Sequence, residues 1–211
     1  MNGYAFNFAG QRFVARPSGA LYWPTEEMLI LSDLHLGKSE RMARRGGALL
    51  PPFETRETLA CLAAELHALR PARLALLGDI FDDDAAGIAL PVEERALFAS
   101  LIAAQETFLV SGNHDLLTGA EALHRAGLWL RHIAAAGQGP DISGHYHPKA
   151  RVAGRSRAAF LVGTDHLILP AFGHYTGGLR HDHAVLQGLV PTGIAILTGR
   201  RALAVPLSVA R

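Results

Sequence analysis

Aspartate, histidine and asparagine recur along this chain in short sets suited to holding metal ions. They are Asp33-Leu34-His35, Gly78-Asp79, Gly112-Asn113-His114-Asp115, a single His132, and Gly144-His145-Tyr146-His147. Such sets supply carboxylate, amide and imidazole ligands, a mixture that suits manganese, iron or zinc better than magnesium or calcium, which favour oxygen-rich shells. Two divalent cations held close together need a shared anion, because their mutual repulsion would otherwise expel one. Asp79 is the candidate bridge. Asp33, His35 and His147 would complete the shell of one ion, and Asn113, His132 and His145 that of the other. The Asp33-x-His35 and His145-x-His147 spacings would put both side chains of each pair on one side of an extended segment. The chemistry such a pair supports is hydrolysis of a phosphate ester.

The elements that must position these residues are legible around them. Apolar runs at Met28 to Ser32, Leu74 to Leu77 and Thr107 to Val110 precede the first three sets, so those residues emerge at the carboxyl ends of neighbouring strands, where open α/β sheets bind ligands. Glu54 to Leu69 has the apolar spacing of a helix, closed by Pro71, and Pro91 opens a second helix through Ala104. This strand, helix, strand, helix, strand order predicts a largely parallel sheet. Before it, Tyr4 to Phe8 and Arg12 to Ala15 read as two strands around Gly10, with an edge strand at Leu21 to Pro24. Gly37 to Pro52 reads as a polar loop. The second half predicts short strands at Asp141 to Gly144, Ala150 to Ala153, Ala159 to Gly163, His166 to Leu169, Ala184 to Leu186, Gly193 to Thr198 and Ala202 to Leu207, with Gly199-Arg200-Arg201 as the last hairpin turn. The expected architecture is two sheets face to face with helices outside and the metals at one end.

With 211 residues, 49% of them hydrophobic, the chain can bury one substantial core, and one domain over residues 1–211 is expected. A net charge of +1 does not advertise a nucleic-acid binder, so any grip on an anionic substrate must be local. The single cysteine, Cys61, cannot form an internal disulfide, and no apolar run is long enough to span a bilayer. A soluble cytoplasmic protein without membrane partners is the expectation. His132 ends a strand-like Leu128-Trp-Leu-Arg-His132, whereas the alternative ligand His124 reads as part of a helix. Lys38, Arg41, Arg44 and Arg45 either form a solvated basic loop or reach a phosphate flanking the scissile bond. Tyr175 to Gly178 reads either as a turn or as a second wall of the cleft. His174, His181 and His183 read as surface histidines.

In these motifs the chain resembles the calcineurin-like metallophosphoesterase superfamily, whose pattern runs D-x-H, G-D-x-x-D, G-N-H-D/E, H and G-H-x-H. Asp82 fills the last place of the second motif and reads as a hydrogen-bonding residue behind the ligands. The resemblance implies a four-layer αββα sandwich and a hydroxide bridging two metal ions. It also implies that His114 stabilises the attacked phosphate or protonates the leaving oxygen, while Asp115 holds its ring in the useful tautomer. The segments Gly19 to Pro24, Asp33 to Lys38, Ala43 to Gly47, Leu169 to Gly173 and Tyr175 to Gly178 further resemble the bacterial DNA-ligase-associated metallophosphoesterases. That likeness implies a manganese-dependent DNA phosphodiesterase or endonuclease of DNA repair, associated with an ATP-dependent DNA ligase, a helicase and an exonuclease. Two rival readings use the same ligands: a small-molecule phosphodiesterase or phosphomonoesterase, and a metal-bound scaffold without activity.

Overall fold

In the computed structural model, which describes residues 2–47, 51, 53–114, 119–152 and 154–207, two mixed sheets stack on one another. The first has six strands in chain order: β1 (Tyr4–Phe8), β2 (Gln11–Ala15), β3 (Leu21–Trp23), β4 (Met28–Leu31), β5 (Arg73–Leu77) and β6 (Glu106–Val110). β1 to β4 pair antiparallel, whereas β4, β5 and β6 pair parallel through the helices α2 (Glu54–Leu69) and α4 (Val92–Ala103). A short helix α1 (Lys38–Arg44) follows β4, and α3 (Asp84–Ala89) follows β5.

The second sheet holds eight strands. β7 (Ala122–Arg125) and β8 (Leu128–Arg131) form a hairpin, β8 pairs parallel with β9 (Asp141–Ser143), and β9 pairs parallel with β12 (His166–Ile168). β11 (Arg155–Val162) joins β12 to the terminal hairpin of β13 (Ile194–Leu197) and β14 (Leu203–Pro206), and β10 (Lys149–Val152) pairs with the start of β11. α5 (Ala184–Leu189) packs on the outer face through Leu186.

The continuous apolar run of β4 follows from burial on both faces. Met28 and Ile30 enter the core between the sheets with Phe13, Trp23, Ile142, Phe160 and Ile196, while Leu29 and Leu31 pack under Leu59, Leu62 and Leu66 of α2. Arg56 of α2 donates from Nε to Glu94 of α4 at 2.9 Å, tying the two helices on that face. The result is the layered sandwich expected from the motif pattern.

Four local expectations are corrected. Leu21–Trp23 is not an edge strand, since β3 pairs with β2 on one side and β4 on the other. Residues 38–44 are helical, not loop: α1 buries no residue, so it has no apolar periodicity to read, and charge pairs anchor it. His124 lies on strand β7, opposite Trp129, in a hairpin whose turn residues Ala126 and Gly127 both have positive φ (47° and 82°). That is the type I′ pattern, for which Asn-Gly would have been the plain signal. Residues 184–189 are helical, because a three-residue apolar run cannot distinguish a period of 2 from one of 3.6. Among the described residues no helix is long and apolar enough to cross a membrane.

Candidate metal centre

The loops leaving β4 and β5 run side by side beyond the sheet. Asp33 N–H donates to Gly78 O, His35 N–H to Asp79 O and Leu36 N–H to Ile80 O, at 3.2, 3.0 and 2.9 Å. This extends the parallel ladder past the strand ends and brings two ligand motifs into contact. Asp33, His35, Asp79, His145 and His147 all have φ between 46° and 67°. The Asp33-x-His35 and His145-x-His147 pairs therefore converge through left-handed backbone, which corrects the expectation of extended segments. Such conformations cost of order 1–3 kcal/mol each and cluster at functional sites.

Six of the expected side chains fall into two groups, Asp33 with His35 and His147, and Asp79 with His132 and His145; within each group the ligand atoms lie within 4.8 Å of one another. In the first, His35 Nε2 and His147 Nε2 are 3.2 Å apart, and Asp33 Oδ1 is 3.2 Å from His147 Nε2. In the second, His132 Nε2 lies 2.8 Å from Asn113 Oδ1, 3.2 Å from His145 Nδ1 and 3.4 Å from Asp79 Oδ2. Asn113 thus joins the second group as expected, and His132, not His124, occupies it. The exposed His124 ring packs instead against Trp129, with 4.6 Å between ring centres.

Each aspartate has one oxygen fastened and one turned to the imidazoles. Asp33 Oδ2 accepts from Ser32 Oγ and from the His145 N–H, while Asp79 Oδ1 accepts from the N–H groups of Asn113 and His114, both at 2.9 Å. Two glycines make this possible. A Cβ on Gly144 would collide with Ser32 Oγ and Asp33 Oδ2, and one on Gly112 would collide with Asp79. The glycines preceding His145 and Asn113 are therefore required by close approach.

Two of the four imidazoles, those of His132 and His35, have a partner behind them. His132 Nδ1 donates to Leu77 O at 2.8 Å, and His35 Nδ1 lies 3.0 Å from Asp82 Oδ1, which leaves Nε2 of each ring facing its group. Asp82 also faces Arg41 Nη1 at 2.7 Å and Lys38 Nζ at 3.3 Å. Arg44 and Arg45 meet Asp83, at 2.9 and 3.5 Å, and Arg44 also pairs with Glu40. All four basic side chains expected near a substrate phosphate are thus paired with acids, and none is brought into the two ligand groups. His114 stands exposed beside the first group, its ring centre 5.7 Å from that of His35. Asp115 lies outside the described residues.

Electrostatics match these contacts. Burial alone would raise the carboxyls of Asp33 and Asp79, but His147 and His132 beside Asp33, and His132 with the His114 N–H beside Asp79, hold both below the usual carboxylate range. Against the effect of burial, Asp79 and Asp33 push His132 above its ordinary value, whereas burial and the charge of His132 push His145 down. The cluster therefore draws positive charge. Asp33 Oδ1 is buried without a hydrogen-bond partner, although its other oxygen has two. A carboxylate oxygen left so among imidazole nitrogens fits a divalent cation. The donor set is that of a transition metal.

The segments outside the metal motifs also find roles. Phe172 and Gly173 donate from N–H to Ser32 O and Asp33 O, so Leu169 to Gly173 braces the first ligand loop. The turn falls at His174 and Tyr175, ahead of Thr176 to Gly178, and the next residue, Leu179, donates to Tyr146 O within the His145 to His147 loop. Sequence reading missed these braces because their contacts are made by backbone.

Two cation cradles at the end of a two-sheet sandwich define a metal-dependent phosphoesterase. The chain belongs to the calcineurin-like phosphoesterase family, whose model matches residues 28–178. Among solved structures it is similar to the nuclease MPE of Pseudomonas putida, with 25% identity and a TM-score of 0.72 over 98% of this chain and 100% of that one. No curated protein matches it.

Proposed function

We propose that this protein is a manganese-dependent DNA phosphodiesterase or endonuclease of DNA repair. The observation that carries the reading is the pairing of two cation-binding groups with an exposed histidine, His114, at one rim of the sandwich. In this reading Asp33, His35 and His147 hold one cation, Asn113, His132 and His145 hold the other, and Asp79 is shared. The likeness to a nuclease over almost the whole of both chains supports nucleic acid as the substrate. Two bound cations would supply an acidified water nucleophile and neutralise charge developing on the phosphate.

The protein's own part is orientation and proton control. Backbone N–H groups and Ser32 hold one oxygen of each aspartate, so the other need not reorient when phosphate binds. His114 would hydrogen-bond a phosphate oxygen or give its proton to the departing oxygen, with Asp115 as the proposed partner for its ring. Arg44 and Arg45 pair with Asp83 at side-chain exposures of 40% and 60%, and exposed pairs of this kind are weak enough to yield to a phosphate. Association with an ATP-dependent DNA ligase, a helicase and an exonuclease in the cytoplasm belongs to the same proposal.

A matrix of metals against substrates with purified protein tests it. Manganese should support cleavage of single-stranded circular DNA, and His114→Ala should lower the rate by about 10²-fold or more with both cations still bound. Turnover of bis(p-nitrophenyl) phosphate with DNA left intact would instead identify a small-molecule phosphodiesterase. Protein that binds manganese but cleaves neither substrate would be a scaffold.

A further inference from the structure

A cavity of about 590 Å³ adjoins the second ligand group, sharing Asn113 and His132 with it. We propose that it is a nucleobase subsite, receiving the base of the nucleotide whose phosphate lies at the metal groups. The inference rests on the phosphodiesterase reading above. Its volume is that of a small-molecule site, about 300–1,000 Å³.

The wall is built before any ligand arrives. Leu128 and Leu130 of β8 enter the core between the sheets, so the alternate residues Trp129 and Arg131 face the opposite side, where both line the cavity. Arg131, with its side chain only 9% exposed, lies with its guanidinium 5.1 Å from the centre of the Trp129 ring and donates from Nη1 to Gln138 Oε1 at 3.0 Å. Its Nε is buried without a hydrogen-bond partner, 3.7 Å from Asp141 Oδ2. Asp141 is itself buried and accepts from His166 Nδ1 and from the Ala135 N–H, both at 2.9 Å. Arg131 is therefore anchored through β9 and β12 and cannot swing away.

Charge selects the ligand class. The cation of Arg131 already faces Asp141, and Glu121 adds a carboxylate to the lining, so no surplus positive charge favours a second phosphate. What remains is the part of the Trp129 indole left open by His124 and Arg131, and the aliphatic side chain of Ile133, beside an amide and a guanidinium. Apolar surface bordered by fixed donors and acceptors matches a flat heteroaromatic ring with polar edges. The shared wall at Asn113 and His132 links that ring to the phosphate position.

The test uses fluorescence and selectivity. The chain has two tryptophans, and Trp23 is fully buried between the sheets, so a base entering the cavity should quench Trp129 alone. Thymidine 5′-monophosphate should quench the emission of the manganese-loaded protein saturably, and methyl phosphate should not. The kcat/KM for p-nitrophenyl thymidine 5′-phosphate should exceed that for methyl p-nitrophenyl phosphate by about tenfold or more, and Ala135→Phe, which puts a ring into the cavity from its lining, should bring the ratio towards one. Equal quenching by both phosphates, equal turnover of both esters, or a preference that survives Ala135→Phe would overturn the subsite. Should that variant fail to fold, the two wild-type comparisons still decide. A protein that prefers the thymidine ester but leaves DNA intact would keep the subsite and lose the DNA reading. DNA cleavage without a response of Trp129 to the nucleotide would do the reverse.

Discussion

At the scale of single residues, the centre depends on carboxylates held by one oxygen and imidazoles held by one nitrogen. His132 shows the economy of this arrangement: Leu77 O takes the Nδ1 proton, and Nε2 is left among Asn113, His145 and Asp79. Metal analysis should therefore find about one cation fewer per chain in His132→Ala, while His124→Ala, whose ring only packs on Trp129, should keep the full complement. Equal losses in both variants would remove His132 from the site. Gly144→Ala forces a methyl group into Ser32 Oγ and Asp33 Oδ2, and overpacking of this kind costs about 1–3 kcal/mol. The expected result is a lower melting temperature together with weaker metal binding. Wild-type values for both would mean the two loops can separate more easily than their hydrogen bonds indicate.

At the scale of elements, α1 is a helix without a buried face. Lys38 and Arg41 connect it to Asp82, and Asp82 in turn lies against His35. This couples the helix to the first ligand group, so Asp82→Asn should weaken metal binding by about 10–100-fold, the usual effect of disturbing a residue behind a ligand. Calorimetric titration of the metal-free protein with manganese measures the change, and limited proteolysis in α1 should increase in parallel. Unchanged affinity with increased proteolysis would limit Asp82 to anchoring the helix. The hairpin of β7 and β8 has a comparable double role, since β8 delivers Arg131 to the cavity and leads directly into His132.

At the scale of the whole molecule, the candidate ligands arrive from loops after five strands in two different sheets. Asp33, Asp79 and Asn113 follow β4, β5 and β6 of one, while His132 and His145 follow β8 and β9 of the other. A cation bound between them would cross-link the layers and be held only by the folded state. Saturating manganese at about 100 times its dissociation constant should therefore stabilise the fold by ~2.7 kcal/mol. For a chain of this size that is a rise of about 5–11 °C in melting temperature, reversed by a chelator. No shift with manganese, iron or zinc would contradict a centre that joins the two sheets.

The identities of the candidate ligands were legible in the sequence because metal-binding side chains stand out when they follow apolar strand runs. The first sheet's strands and its two long helices were legible for a related reason: burial on one face or both leaves a periodic or continuous apolar pattern. Helix α1 and the Ala126-Gly127 turn were not, since neither is specified by apolar spacing. Only the tertiary structure decided how the residues meet. The left-handed turns at Asp33, His35 and Asp79, the close approach at Gly112 and Gly144, and the joining of His132 to Asn113 all depend on contacts between segments far apart in the chain. A sequence displays the chemistry of its side chains locally, but which backbone oxygen or amide will stand behind each one is fixed by packing.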